Sequence, residues 1–229
     1  MKIVFLTGAG ISAESGISTF RDSDGLWEQY SIEDVCTDRA LLRNPGLVHQ
    51  FYNARRHDML RAEPNAAHRH IADLLAQGHD VRVVTQNVDD LHERGGMPAD
   101  RVLHLHGELT KVRATDNPEL LFTLPADGLD TTPDTVISGH RVRPHIVFFG
   151  EPVPMLEPAI DIVSQADVLV IVGTSLAVYP AAGLINYARP GARVLYIDPH
   201  PAAVPPGVSV IAAKATEGMA RLDAELSAM

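Results

Sequence analysis

The chain has 229 residues, a formal net charge of −10 and a single cysteine, Cys36. That length supports one domain, or one domain with a modest insertion. The acidity disfavours a nucleic-acid backbone as main partner, no apolar run is long enough to span a bilayer, and one cysteine excludes both an intrachain disulfide and a multi-cysteine zinc site.

The first predicted element is a buried strand, Ile3–Leu6, running into Thr7-Gly8-Ala9-Gly10-Ile11-Ser12-Ala13. Gly8, Gly10 and Ala13 fit the G-x-G-x-x-[G/A] spacing of a dinucleotide turn. Gly8 is expected to take backbone angles closed to other residues, and Gly10 to let the main chain approach a phosphate. The helix that follows would aim its free N–H groups at that phosphate. A strand at the very start leaves no signal or transit peptide, so the reading is a cytoplasmic enzyme. The negative charge is compatible with basic partners such as lysine-bearing protein segments.

From Arg21 to Glu63 no strand run occurs. The stretch reads as a polar lid loop, with Phe20, Arg21 and Trp27, followed by helices, the clearest over Pro45–Leu60. A hydride-transferring dehydrogenase needs a second strand soon after the glycine turn, ending in a ribose-binding acid, and none is there. Cys36 has no neighbouring histidine in sequence and reads as a buried structural thiol. A helix over Ala66–Gln77 follows Pro64.

Further buried strands are expected at Val81–Val84, Val102–Leu105, Ile146–Phe149, Val168–Val172, Val194–Ile197 and Val208–Ile211, with a helix at Pro154–Ala166. The strand–helix alternation predicts an α/β fold, a Rossmann-like doubly wound parallel sheet. The large part covers about 1–27, 64–108 and 144–229, with a helical insertion at about 21–63. A small module at about 109–143 interrupts it, rich in Thr, Asp, Pro and Gly and without cysteine. Its core is expected from Leu120, Leu121, Phe122, Leu124, Val136 and Ile137.

Polar clusters close several strands: Thr85-Gln86-Asn87-Val88-Asp89 with Leu91-His92, His106-Gly107-Glu108, Gly150-Glu151 and Gly173-Thr174-Ser175. Any one could be a helix cap; together with the glycine turn they mark the crevice where open α/β sheets bind ligands. Asp198, after Val194–Ile197, can accept both hydroxyls of a ribose and would repel a 2′-phosphate, favouring NAD over NADP. His106 suits a base titrating near neutral pH. His104, two residues back, reads as a packed or hydrogen-bonded strand histidine.

These motifs, in this order over most of the chain, resemble the sirtuins, NAD-consuming protein lysine deacylases. The resemblance implies that the acyl-lysine carbonyl oxygen attacks the nicotinamide ribose as nicotinamide leaves, that a base then deprotonates a ribose hydroxyl, and that water completes the reaction to free lysine and O-acyl-ADP-ribose. Carried over residue by residue, His106 is the base, with Asn87 and Asp89 in the catalytic set. Asp89 holds the nicotinamide carboxamide, and Asn87 orients the ribose or a water. NAD as consumed co-substrate would be bound by Gly8, Ala9, Gly10, Ile11, Ser12, Ala13, Glu14, Ser15, Gly16, Ile17, Phe20, Arg21, Trp27, Gln86, Val88, Gly173, Thr174, Ser175, Asp198 and Ala215. Asn commonly stands where this chain has Asp198. Acylated lysine would lie along Ile146, Phe148, Phe149, Gly150, Glu151 and Val178, pairing as a strand does.

Tyr52 and Arg55, at i, i+3 on one helix face, resemble the Tyr-x-x-Arg pair of a bacterial-type subgroup that reads acidic acyl chains. A guanidinium fork suits the carboxylate of a succinyl or malonyl group. The zinc cysteines of most sirtuins are missing, so no metal site is expected. The competing readings are an NAD or ADP-ribose binding module without turnover and a mono-ADP-ribosyltransferase. Nothing in the sequence demands more than a monomer.

Overall fold

In the computed structural model, which describes residues 1–19 and 30–227, two sheets divide the chain. The larger has six strands: β1 (Lys2–Thr7), β2 (Asp80–Thr85), β3 (Val102–His104), β8 (Val168–Val172), β9 (Arg193–Ile197) and β10 (Ser209–Ile211). Their order is β10-β9-β8-β1-β2-β3, and every pairing is parallel. Every residue of β8 and Ile3–Leu6 of β1 is buried, because helices cover both faces. On one side Ile3, Phe5 and Val170 pack with Ile71 of α5 (Ala66–Ala76) and Leu222 of α8 (Ala215–Ser227). On the other, Val4, Leu6 and Ile171 pack with Ala159 and Val163 of α7 (Leu156–Ser164).

The chain order reverses at β1, which has β8 on one side and β2 on the other. This switch point opens the crevice beyond the strand ends. A short helix α1 (Gly10–Ala13) follows β1. Between residue 30 and β2 lie α2 (Ile32–Val35), α3 (Asp38–Arg43), α4 (Pro45–Arg61) and α5. The Asn44 side chain caps α4, with Pro45 in its first turn. α6 (Leu91–Arg94) follows β2. No helix among the described residues is long and apolar enough to cross a membrane.

The second sheet is antiparallel, in the order β5-β4-β7-β6, from β4 (Gly107–Ala114), β5 (Leu121–Thr123), β6 (Val136–Ile137) and β7 (His140–Ile146). It corrects the expectation of a parallel strand at Ile146–Phe149. Ile146 pairs antiparallel with Gly107 as the last residue of β7, and Phe149 makes an isolated parallel bridge to Thr37. An apolar run alone does not distinguish these fates. The sheet's own core is small: Val112, Leu124 and Val142, flanked by Phe122 and Ile137. Leu121 and Val136, expected inside, are 41% and 56% exposed.

Polar anchors compensate. Arg56 of α4 is fully buried, donating through Nε to the Leu109 carbonyl at 2.7 Å and through Nη1 to the Leu129 carbonyl and Asn53 Oδ1 at 3.0 Å. Asn53 Nδ2 donates to the Thr131 carbonyl at 2.8 Å, and His49 Nδ1 meets Thr131 Oγ1 at 2.9 Å. One face of α4 thus fastens the 129–131 segment and β4.

Candidate active site

A cavity of about 670 Å³ runs from the glycine turn past the ends of β2 and β8 to α4, within the usual range for cofactor and substrate sites. Gly8, Ala9, Gly10, Ser12, Ala13, Gln86, Asn87, Val88, Asp89, His106, Gly173, Thr174, Ser175, Asp198 and Ala215 line it.

The glycines serve a different purpose from the one expected. Among the described residues, Gly8 and Gly10 are not in the left-handed region. A Cβ on Gly8 would stand 2.8 Å from the Gly173 carbonyl oxygen, and one on Gly10 2.7 Å from Gly173 Cα. Gly173, at φ +64°, is equally confined, its added Cβ falling 2.3 Å from Ile11 N. Gly10 N donates to the Gly173 carbonyl at 2.8 Å. Two bare turns therefore pack on each other and give the crevice a main-chain floor.

Ser12, Asn87 and Asp89 converge at the end of β2. Asn87 Nδ2 donates to Ser12 Oγ at 3.1 Å, and Ser12 Oγ donates to Asp89 Oδ2 at 3.0 Å. Asp89 Oδ1 accepts from Leu91 N at 3.1 Å. Burial raises the Asp89 pKa, opposed by those hydrogen bonds and by the charge of His104. His68, which the sequence reading passed over, lies behind: its Nδ1 accepts from Asn65 N, so Nε2 carries the proton that faces Ser12 Oγ at 3.4 Å. The visible signal was the helix start Asn65-Ala66-Ala67-His68, which forms a capping box.

His106 Nδ1 donates to the Gln86 carbonyl at 3.0 Å, which leaves Nε2 as the ring's proton acceptor. Burial lowers its pKa, against the effect of that hydrogen bond. It is the last residue before β4, and its carbonyl accepts from Val147 N at 2.9 Å.

At the opposite end, Asp198 is buried after β9, and its Oδ1 accepts from His200 N at 2.9 Å. Gln86 Nε2 donates to Thr174 Oγ1 at 3.0 Å, joining the two halves of the floor. Glu14 lines the cavity, yet its carboxylate accepts from Thr216 N and Oγ1 at the start of α8.

Three residues expected at the cofactor lie elsewhere. Ile11 is in the hydrophobic core, Ser15 Oγ accepts from Asn65 Nδ2 at 3.0 Å, and Gly16 forms an exposed turn at φ +87°. Ile17 is buried and touches the cavity. Phe20, Arg21 and Trp27 lie outside the described residues.

Toward α4 the walls are Cys36, Phe51, Tyr52, Arg55, Met59, Ile146 and Phe148. Tyr52 is buried edge-on to Phe148, ring centroids 5.5 Å apart, and Arg55 lies over the Phe51 ring at 5.9 Å. Phe149, Gly150 and Val178 form the rim. Glu151 is less a rim residue than expected. Its carboxylate accepts from Phe148 N, Arg113 Nη2 and Arg143 Nη2, each at 3.0 Å, and so fixes the loop that carries Phe148. Arg143 lies over the Phe148 ring at 5.1 Å. Among the described residues, no group of three or more His, Cys, Asp or Glu side chains is placed to hold a metal.

Comparison with known proteins agrees with this geometry. The Sir2 family model matches residues 8–180. An NAD-dependent protein deacylase of Aggregatibacter actinomycetemcomitans is 54% identical over 198 residues, covering 86% of this chain and 93% of that protein. One from Helicobacter pylori strain J99 is 44% identical over 230 residues, covering 100% of this chain and 96% of its own. Among solved structures, a Sir2 homologue in complex with NAD superposes with a TM-score of 0.87 at 38% identity, over 99% of this chain and 89% of that one.

Proposed function

The chain belongs to the Sir2 family and is an NAD-dependent protein deacylase, and from that premise we propose that it removes acidic acyl groups, succinyl and malonyl, from protein lysines as well as acetyl groups. The observation that carries this reading is the pair Tyr52–Arg55 in the wall of the cavity's α4 end. An apolar pocket with one guanidinium and one phenol at its far end suits a short chain that ends in a carboxylate.

NAD is the co-substrate, and it supplies a ribosyl carbon activated by its bond to nicotinamide. Asp198 and the Gly173–Ser175 turn would hold its adenosine side, and Ser12, Asn87 and Asp89 its nicotinamide side. His106 accepts a proton at Nε2 from a hydroxyl brought to it, held in the correct tautomer by the Gln86 carbonyl. Phe148 and Val178 would flank the lysine chain, while Phe149 and Gly150 pair with the substrate backbone. The protein would act on acylated lysines as a cytoplasmic monomer and bind neither nucleic acid nor membrane. Packing and polar anchors would hold the small sheet in place of zinc.

The test is incubation with NAD and a succinyl-lysine peptide, following nicotinamide and the peptide by mass. Loss of succinyl with one nicotinamide per event supports the reading. Turnover of acetyl-lysine alone counts against it. Binding of NAD without turnover would mark a binding module, and a mass gain on a protein acceptor would mark ADP-ribosyl transfer.

A further inference from the structure

The turn that carries Asn87 and Asp89 has four consecutive carbonyls, and residues 104–109 supply a donor to each. Leu105 N donates to the Thr85 carbonyl at 2.8 Å and Leu109 N to the Val88 carbonyl at 2.8 Å. The two carbonyls between them are met by imidazoles. His106 Nδ1 takes Gln86 at 3.0 Å, and His104 Nδ1 takes Asn87 at 3.0 Å. Parallel pairing of β2 with β3 ends at Thr85–His104, so beyond it side chains continue what backbone donors do in a sheet.

The two histidines differ in their second nitrogen. His104 Nε2 meets Glu93 Oε1 at 2.9 Å, and its side chain is only 7% exposed. A carboxylate on one nitrogen and a carbonyl on the other require both to donate, so His104 is an imidazolium. Glu93 thereby fixes the ring in a single orientation, as His106 is not fixed. The charged and titratable groups around it are Asp89, His92, Glu93, Glu108 and His145.

We propose that His104 is a positioning residue that sets the Asn87–Asp89 turn for nicotinamide release by holding the Asn87 carbonyl. The inference rests on the reading of Asn87 and Asp89 as nicotinamide-side residues. His104 touches neither co-substrate nor acyl-lysine in this role. It acts through the main chain of Asn87, whose side chain in turn holds Ser12 Oγ.

Two substitutions separate this from a purely structural ion pair. The amide nitrogen of an asparagine falls near the place of Nδ1, and that of a glutamine near Nε2. His104→Asn can keep the bond to the Asn87 carbonyl and loses Glu93, whereas His104→Gln keeps Glu93 and loses the carbonyl. Initial rates of nicotinamide release are measured with NAD and an acetyl-lysine peptide, alongside thermal melting of each variant. Displacement of a reacting group by about an ångström can cost ~100-fold in rate. The expected result is H104Q down about tenfold or more in kcat with the peptide KM unchanged, and H104N within about threefold of the parent. Equal losses, or losses that follow the melting temperatures, overturn the inference. Asn87→Ala in the same assay guards the premise: if it retains full activity, the reading of the turn fails, and the inference with it.

Discussion

The Tyr52 hydroxyl donates to the Cys36 thiol across 3.6 Å, inside the wall of the cavity. Sulfur is a weak acceptor, so a carboxylate entering the pocket offers that hydroxyl a far better partner. Arg55, next along the same helix face, supplies the charge.

Arg55→Met should therefore change selectivity more than activity. A hydrogen bond to a charged group contributes about 1.5–3 kcal/mol, or roughly 10- to 150-fold. Desuccinylation should fall by that factor in kcat/KM and deacetylation by no more than about threefold. Competing acetyl- and succinyl-lysine peptides, read by mass, give both numbers. Equal losses would remove Arg55 from the reading.

Cys36 should be chemically quiet. Burial, only partly offset by the bond from Tyr52, pushes its pKa up to about 11, so almost none is thiolate at pH 7.5. Iodoacetamide should label it in denaturant and not in the folded protein. Rapid modification of the folded protein would show the pocket wall to be open.

Acid should inactivate and unfold the protein by separate routes. Burial lowers the His106 pKa, so the base form persists below pH 6.5 and the acid limb of kcat/KM should lie under that value. His49 and His68 are buried with pKa values down to about 4. Their unfolded forms bind protons first as pH falls from about 6.5, so the stability that neutrality gives is present above 6.5 and lost between 6.5 and 4. At about 1.4 kcal/mol per pH unit for each group and 2–4 °C per kcal/mol, the melting temperature should drop by roughly 10–20 °C between pH 7 and 4.5. His68→Gln should flatten that drop. Melting that does not change over this range would show both imidazoles to be solvated.

Removal of metal should have no effect. Ala114, buried and paired with Val142 in the small sheet, stands near where the first zinc cysteine of the resemblance would fall. Purified protein should carry no stoichiometric zinc, and a chelator should leave deacylation intact. Arg56→Met, by contrast, takes the donor from the buried Leu109 carbonyl and from the part-buried Leu129 carbonyl and should cost about 2–4 kcal/mol. Hydrogen exchange should then rise at residues 129–131. One zinc per chain by elemental analysis would overturn this account.

The parallel sheet was readable because its strands are mostly apolar and separated by helical stretches, down to an α4 that runs one residue past Leu60. The strand at Ile146–Phe149 was misread because a run of that length looks alike in either sheet. Tyr52 and Arg55, singled out by the resemblance and by their i, i+3 spacing, both line the cavity. His68, Glu93, Arg56 and the Arg113–Arg143–Glu151 cluster were not singled out, because each acts through a partner distant in sequence. The motif at Glu151 points to a groove residue, and only the placement of two arginines shows what its carboxylate holds.

Helix α4 presents Tyr52 and Arg55 to the cavity and sends His49, Asn53 and Arg56 to the small sheet. Substrate choice and domain cohesion are therefore written on adjoining faces of one rod, in alternating letters. A population under selection for a new acyl group cannot drift freely here. Each change to the reading face is screened at once by whether the fastening face still grips.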